Sequence, residues 1–150
     1  MRNVELAEDY LRRAKLRLKA LDVLFEGEGW PDVVRESQEI LELALKGLLR
    51  WCGVDPPRVH DVSGVLLAEK DRLPADLIGQ AEALAAASRH LRRDRELAFY
   101  GAEDLTPTGF YSKEDAEAAR AAARRTVEAV YPHVIGGHGQ HNQEVVTSRR

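Results

Sequence analysis

Residues 30–51, WPDVVRESQEILELALKGLLRW, decide the fold. Trp30, Val33, Val34, Ser37, Leu41, Ala44, Leu45 and Leu48 recur at three-to-four spacing and share one stripe of a helix. Ile40, Leu43, Gly47 and Trp51 form a second stripe. A helix that is apolar on two flanks needs neighbours on both, so this segment is expected to be central, running from about Pro31 to Trp51. Pro31 suits the first turn, where its missing N–H is no loss. Cys52 and Gly53 open a loop that VDPPRVHD continues, because neither Pro56 nor Pro57 fits a helix interior.

Upstream, Val4, Ala7, Leu11, Ala14, Leu18, Leu21 and Phe25 predict a first helix over residues 3–26, closed by Gly27 and Gly29. Downstream, Asp61 or Ser63 is expected to cap a short third helix with Val62, Val65, Leu66 and Leu73 inward. Pro74 then starts a fourth helix over roughly 75–98, whose stripe is Leu77, Ala81, Leu84, Ser88, Leu91, Arg95 and Ala98. YGAEDLTPTGF reads as a loop. Ser112, with Asp115 three residues on, opens a fifth helix that buries Ala116, Ala119, Ala123, Val127 and Val130 and is expected to stop at Pro132. The reading is an all-α, up-and-down bundle of about five helices over residues 1–134, followed by a flexible tail at 135–150.

Composition agrees. The 150 residues are 44% apolar and 31% charged, as in an ordinary globular domain rather than a disordered chain. A net charge of −3 excludes a generally basic nucleic-acid binder, so any RNA contact must come from a local patch. The single cysteine, Cys52, allows no intrachain disulfide and fits a reducing compartment. MRNVELAEDYLRR has no leader-like apolar core, and no stretch approaches about 18 apolar residues, so a cytoplasmic protein without membrane contact is expected.

Few residues offer chemistry. His133, His138 and His141 are close in sequence, but a glycine-rich tail gives zinc no rigid support, so no metal and no cofactor are expected. There is no phosphate-binding glycine loop and no nucleophile elbow. His60 and Asp61 are read as organising a loop and capping a helix. Two basic clusters stand out. Arg12, Arg13, Lys15, Arg17 and Lys19 carry five positive charges without an intervening acid, and are read as a solvated flank. Arg89, His90, Arg92, Arg93 and Arg95 crowd the end of the fourth helix. Cations there favour the helix dipole. Arg95, however, falls on the apolar stripe, where an unpaired charge is costly, so it needs an acid, a second subunit or a phosphate.

Taken in order, Arg35, Gln38–Glu39, Lys46, Pro56–Pro57 and His60–Asp61, then RELAFYG and YSKEDAEAARAAARRTVEAV, resemble the HEPN family over roughly residues 5–133. The resemblance implies a helical bundle that dimerises and associates with nucleotides or RNA. It also implies a minimal nucleotidyltransferase as partner in a toxin–antitoxin-like pair. Ribonuclease members carry Arg-x(4–6)-His near the end of the fourth helix, and two such motifs meet across a dimer without metal. Here no histidine has an arginine five to seven residues before it, and Arg95 leads instead to Tyr100. No catalytic residue is therefore assigned. Arg93, Arg95 and Tyr100 are the candidate nucleotide- or RNA-binding residues. The alternatives are a divergent Arg-x4-Tyr ribonuclease and a ligand-free dimeric scaffold. The double apolar flank of the second helix adds to the expectation of a symmetric homodimer, with the fourth-helix end near the two-fold axis.

Overall fold

The computed structural model describes residues 3–58, 61–100 and 107–136, without the side chains of 92–100 and 107–108. Within them lie α1 (Asn3–Glu26), α2 (Trp30–Trp51), α3 (Ser63–Ala68), α4 (Ala75–Ile78), α5 (Ala81–Tyr100), α6 (Pro107–Phe110) and α7 (Lys113–Gly136), with a 3-10 turn at Lys70–Arg72. No strand occurs among the described residues. The architecture is the all-α bundle expected, and the long helices α1, α2, α5 and α7 build it.

α2 is the central helix, packing against α1, α5 and α7. Ile40, Leu41, Leu45, Leu48 and Leu49 are all but fully buried. Its apolar flanks are taken up by helices of the same chain, so they do not by themselves call for a second subunit. α1 runs antiparallel to α2: Arg50 Nη1 donates to Asn3 Oδ1 at 3.3 Å at one end, and Arg17 reaches Glu36 and Glu39 near the other. α7 is antiparallel to α1, with Arg120 and Arg124 both on Asp22 and Lys15 over the Tyr131 ring at 4.3 Å.

Four local readings need correction. The left-handed residue closing α1 is Glu28, at φ 59°, and not Gly27 or Gly29. Gly29 N–H donates to Leu24 O and Glu28 N–H to Phe25 O, the paired bonds of a Schellman turn. Phe25 and Trp30 stack edge-to-face across it, ring centres 5.0 Å apart, so packing holds a residue that propensity would not choose. The expected fourth helix is two helices, α4 and α5: the chain breaks at Gly79 and Gln80, where Gln80 N–H bonds Leu77 O at 3.0 Å, and Leu77 and Ala81 on either side are both buried. Pro107–Phe110, read as loop, forms the one-turn helix α6. Pro132 does not stop α7, which runs on to Gly136. The lost backbone bond is offset because Val130 and Val134 are fully buried on either side, and His133 Nε2 lies 3.0 Å from Asp76 Oδ2. The tail beyond Gly136, with His138 and His141, lies outside the described residues.

Gly47 sets how closely α1 approaches α2. A Cβ there would overlap Leu11 Cδ2 and lie 3.2 Å from Tyr10 Cβ and 3.3 Å from Ala7 O. Leu11 is fully buried and has nowhere to swing. Gly47→Val is therefore expected to cost about 2 kcal/mol or more through overpacking. Gly47→Ala should cost less, because about 1 kcal/mol of helix propensity is regained. Urea unfolding midpoints should fall in the order wild type, Ala, Val. A Val variant as stable as wild type would show that α1 and α2 are not held at this distance.

Candidate functional site at the α2, α3 and α5 junction

The residues that carried the sequence resemblance on α2 form ion pairs. Arg35 Nη2 lies 3.2 Å from Glu39 Oε1, Gln38 Nε2 donates to Glu42 Oε2 at 3.1 Å, and Lys46 Nζ lies 2.8 Å from Glu42 Oε1. From α1, Arg17 meets Glu36 Oε1 at 2.7 Å and Glu39 Oε2 at 2.6 Å. Burial disfavours the Arg17 charge, but these two carboxylates outweigh it and hold the guanidinium firmly protonated. A groove of about 290 Å³ between α1 and α2 is lined by these groups with Tyr10, Arg13 and Leu43. Arg17 and Glu39 pair across it, while Lys46 pairs with Glu42 along α2, so it is built as a clamp between helices. The first basic cluster is accordingly structural at Arg17 and Lys15. Arg12 and Arg13 make only long contacts to Glu8 and Asp9, at 3.5 and 3.8 Å.

Neither Asp61 nor Ser63 is the N-cap of α3; Val62 holds that position, and Asp61 acts from one residue upstream. Its Oδ1 accepts from Ser63 N–H, the first residue of α3, at 2.9 Å, and from Ser88 Oγ on α5 at 3.2 Å. Ser88 Oγ in turn accepts the Val62 N–H at 3.2 Å. Partial burial pushes the Asp61 carboxyl upward. The hydrogen bonds from Ser63 and Ser88, with the nearby Arg89 charge, more than reverse this and leave it below the usual carboxylate range. This latch ties the loop after α2 to the middle of α5, which carries the second basic cluster. His60, its neighbour, lies outside the described residues.

The latch gives the second cluster its bearings. Arg89 is near Asp61, and His90 lines a cleft of about 110 Å³ between α5 and α7 with Val34, Leu91, Tyr111 and Asp115. Sequence reading missed this cleft. Its signal was the run of alanines in α7, since Ala118, Ala119 and Ala122 leave the space. The volume is below the about 300–1,000 Å³ of small-molecule sites. Asp115 is engaged at its rim, accepting from Ser112 N–H at 2.8 Å while Ser112 Oγ accepts from Asp115 N–H at 3.2 Å. The capping box at the start of α7 is thus real, with Asp in place of Glu. Arg93, Arg95 and Tyr100 lie on the last turns of α5, but their side chains lie outside the described ones. No cluster of potential metal ligands occurs among the described residues. Partial burial pushes the Cys52 thiol up to about 11, which keeps it protonated at neutral pH.

Two outcomes are expected at the latch. Ser88→Ala leaves the fully buried Val62 N–H without its partner and should cost about 1–3 kcal/mol. Asp61→Asn keeps an acceptor but removes the charge. Because the folded carboxyl is depressed, its stabilising effect is present above the unfolded pKa and is lost as pH falls through the folded value. The stability gap between wild type and Asp61→Asn should be open at neutral pH and close on acidification. A gap that is constant with pH would show that the Asp61 charge plays no part.

No helix among the described residues is long and apolar enough to cross a membrane. A sequence model of the HEPN domain family matches residues 7–133. A protein of Methanocaldococcus jannaschii named as a candidate toxin is 28% identical over 134 residues, covering 85% of this chain and 88% of its own length. No solved structure gives a significant match. The bundle built around α2, the Asp61 latch onto α5 and a family match that spans almost all of the described helices lead to one conclusion: this chain belongs to the HEPN family.

Proposed function

We propose that this protein is a non-catalytic or weakly active, cytoplasmic HEPN protein that binds a nucleotide or RNA and partners a minimal nucleotidyltransferase in a toxin–antitoxin-like pair. The observation that carries the reading is the end of α5. Arg93, Arg95 and Tyr100 stand where ribonuclease relatives hold Arg-x(4–6)-His, and no histidine follows at that spacing. Arginine forks suit phosphate geometry, so the anion-binding half of the motif is kept. A tyrosine with a pKa near 10 is a poor general base at neutral pH, so the proton-transfer half is lost. The relative named as a candidate toxin supports the toxin–antitoxin setting, and the near-complete coverage of both chains makes that likeness one of whole domains. Residues 1–134 are the domain in this reading and 135–150 a flexible tail. A homodimer would double the positive charge at the site.

One specific feature favours a second reading. The Arg95-x4-Tyr100 spacing falls within the family's window, which suits a divergent metal-independent ribonuclease using Arg93, Arg95 and Tyr100.

Incubation with RNA separates the two. RNA mixed with pure protein is expected to survive as it does in buffer. Metal-independent cleavage that disappears in Arg95→Ala would replace the first reading with the second. Titration with nucleotide or short RNA should show binding that weakens with salt. Arg95→Ala should reduce it about tenfold or more, the loss of a contact worth about 1.5–3 kcal/mol. Equal binding by wild type and variant, or none at low salt, would leave a scaffold without ligand. Co-expressed with a minimal nucleotidyltransferase as partner, the protein is expected to co-purify with it.

A further inference from the structure

The cleft between α5 and α7 brings an acid and aromatic rings to the side of the basic helix. Buried Val34 and Leu91 line it at depth, and small residues such as Ala118 and Ala122 keep about 110 Å³ open. Exposed His90 reaches it from α5, buried Tyr111 from the turn before α7, and exposed Asp115 from the first turn of α7. Phe110 meets the Tyr111 ring edge-to-face, centres 4.9 Å apart, and is itself 41% exposed. An aromatic ring is thus held out to solvent next to the cleft. Asp115 has one oxygen to spare. Both bonds from Ser112 end on its Oδ2, at 2.8 and 3.0 Å, and its Oδ1 accepts no hydrogen bond from the described residues.

We propose that this cleft takes the edge of an unpaired nucleobase and that Asp115 selects a base carrying an exocyclic amine. The proposal rests on the α5 reading above and names the part of the ligand which that reading leaves open. Arg93 is one turn on from His90 and on the same side of α5, so the basic end of the helix begins beside the cleft. The space is too small for a whole nucleotide but admits one edge of a planar ring, with the rest of the base lying against Phe110. Stacking supplies affinity without choice, because every base has a π-face.

Choice comes from the carboxylate, which accepts and does not donate. Adenine, cytosine and guanine each carry an amine that donates to Oδ1. Uracil presents carbonyl oxygens instead, and the Asp115 charge repels them. The same charge orients the ligand, since a phosphate is driven away from Asp115 and toward the arginines. In a duplex the amine is already engaged, so the ligand is a free nucleotide or a single-stranded stretch of RNA.

The test is titration of the full chain at low salt with AMP and UMP, with pentaadenylate and pentauridylate, and with inorganic pyrophosphate. Adenine ligands should bind about fivefold or more tighter than uracil ligands, the effect of one hydrogen bond. A preference seen with the monophosphates identifies a free nucleotide as sufficient, and one confined to the pentamers identifies RNA. Asp115→Asn keeps an acceptor for Ser112 and offers uracil an N–H donor, so the preference should vanish or invert. A purely capping role would change stability, followed by circular dichroism, and leave the adenine-to-uracil ratio alone. Ala118→Leu, which fills the cleft from an exposed position, and Phe110→Ala, which removes the stack, should each weaken base ligands about fivefold or more and leave pyrophosphate unchanged. Equal affinity for adenine and uracil ligands, a preference unchanged in Asp115→Asn, or binding unaffected by Ala118→Leu overturns the base cleft. Pyrophosphate binding that persists in those cases leaves the α5 reading standing. Failure of wild type to bind pyrophosphate or any base ligand overturns both.

Discussion

The close approach of α1 to α2 is the constraint on which the rest of the bundle depends. It exists because Gly47 has no side chain, and Leu11, Tyr10 and the Ala7 carbonyl fill the space a Cβ would need. At that distance Arg17 spans both helices and meets Glu36 and Glu39 together. With one flank of α2 closed this way, its remaining apolar positions turn to α5 and α7, and the core forms around a single helix. The polar residues along α2 then become a line of mutual ion pairs in place of a reactive surface. A helix this heavily packed gives fixed positions to everything attached to it.

What is attached is the α5 end. The Asp61 latch joins the proline-bearing loop after α2 to Ser88, so the start of the basic cluster is positioned by three hydrogen bonds rather than left to the loop. Such an arrangement suits electrostatic binding, in which donors are held in place before the anion arrives. The half-buried Cys52 has its thiol pushed up to about 11 and takes no part in this arrangement.

The sequence by itself determined the helical class, the centrality of α2 and the family. Apolar periodicity is set by burial, and burial is what α2 shows on each flank. Asp61 as the organiser of α3 and Ser112 with Asp115 at the start of α7 were legible too, because capping is local chemistry. The candidate residues Arg93, Arg95 and Tyr100 came from spacing alone, and their place on the last turns of α5 is as far as the backbone takes them.

Tertiary structure decided the rest, wherever local preference and packing disagreed. Glu28, not glycine, takes the left-handed turn because Phe25 and Trp30 clasp across it. Pro132 stays inside α7 because Val130 and Val134 are buried on both sides of it. The chain breaks at Gly79 and Gln80 between α4 and α5 although Leu77 and Ala81 keep the spacing of one continuous helix, so periodicity did not reveal the break. The partners of Arg17 and the cleft beside His90 join residues far apart in the chain. No local pattern encodes such pairs, since which helix lies beside which is settled only when all of them compete for the same core.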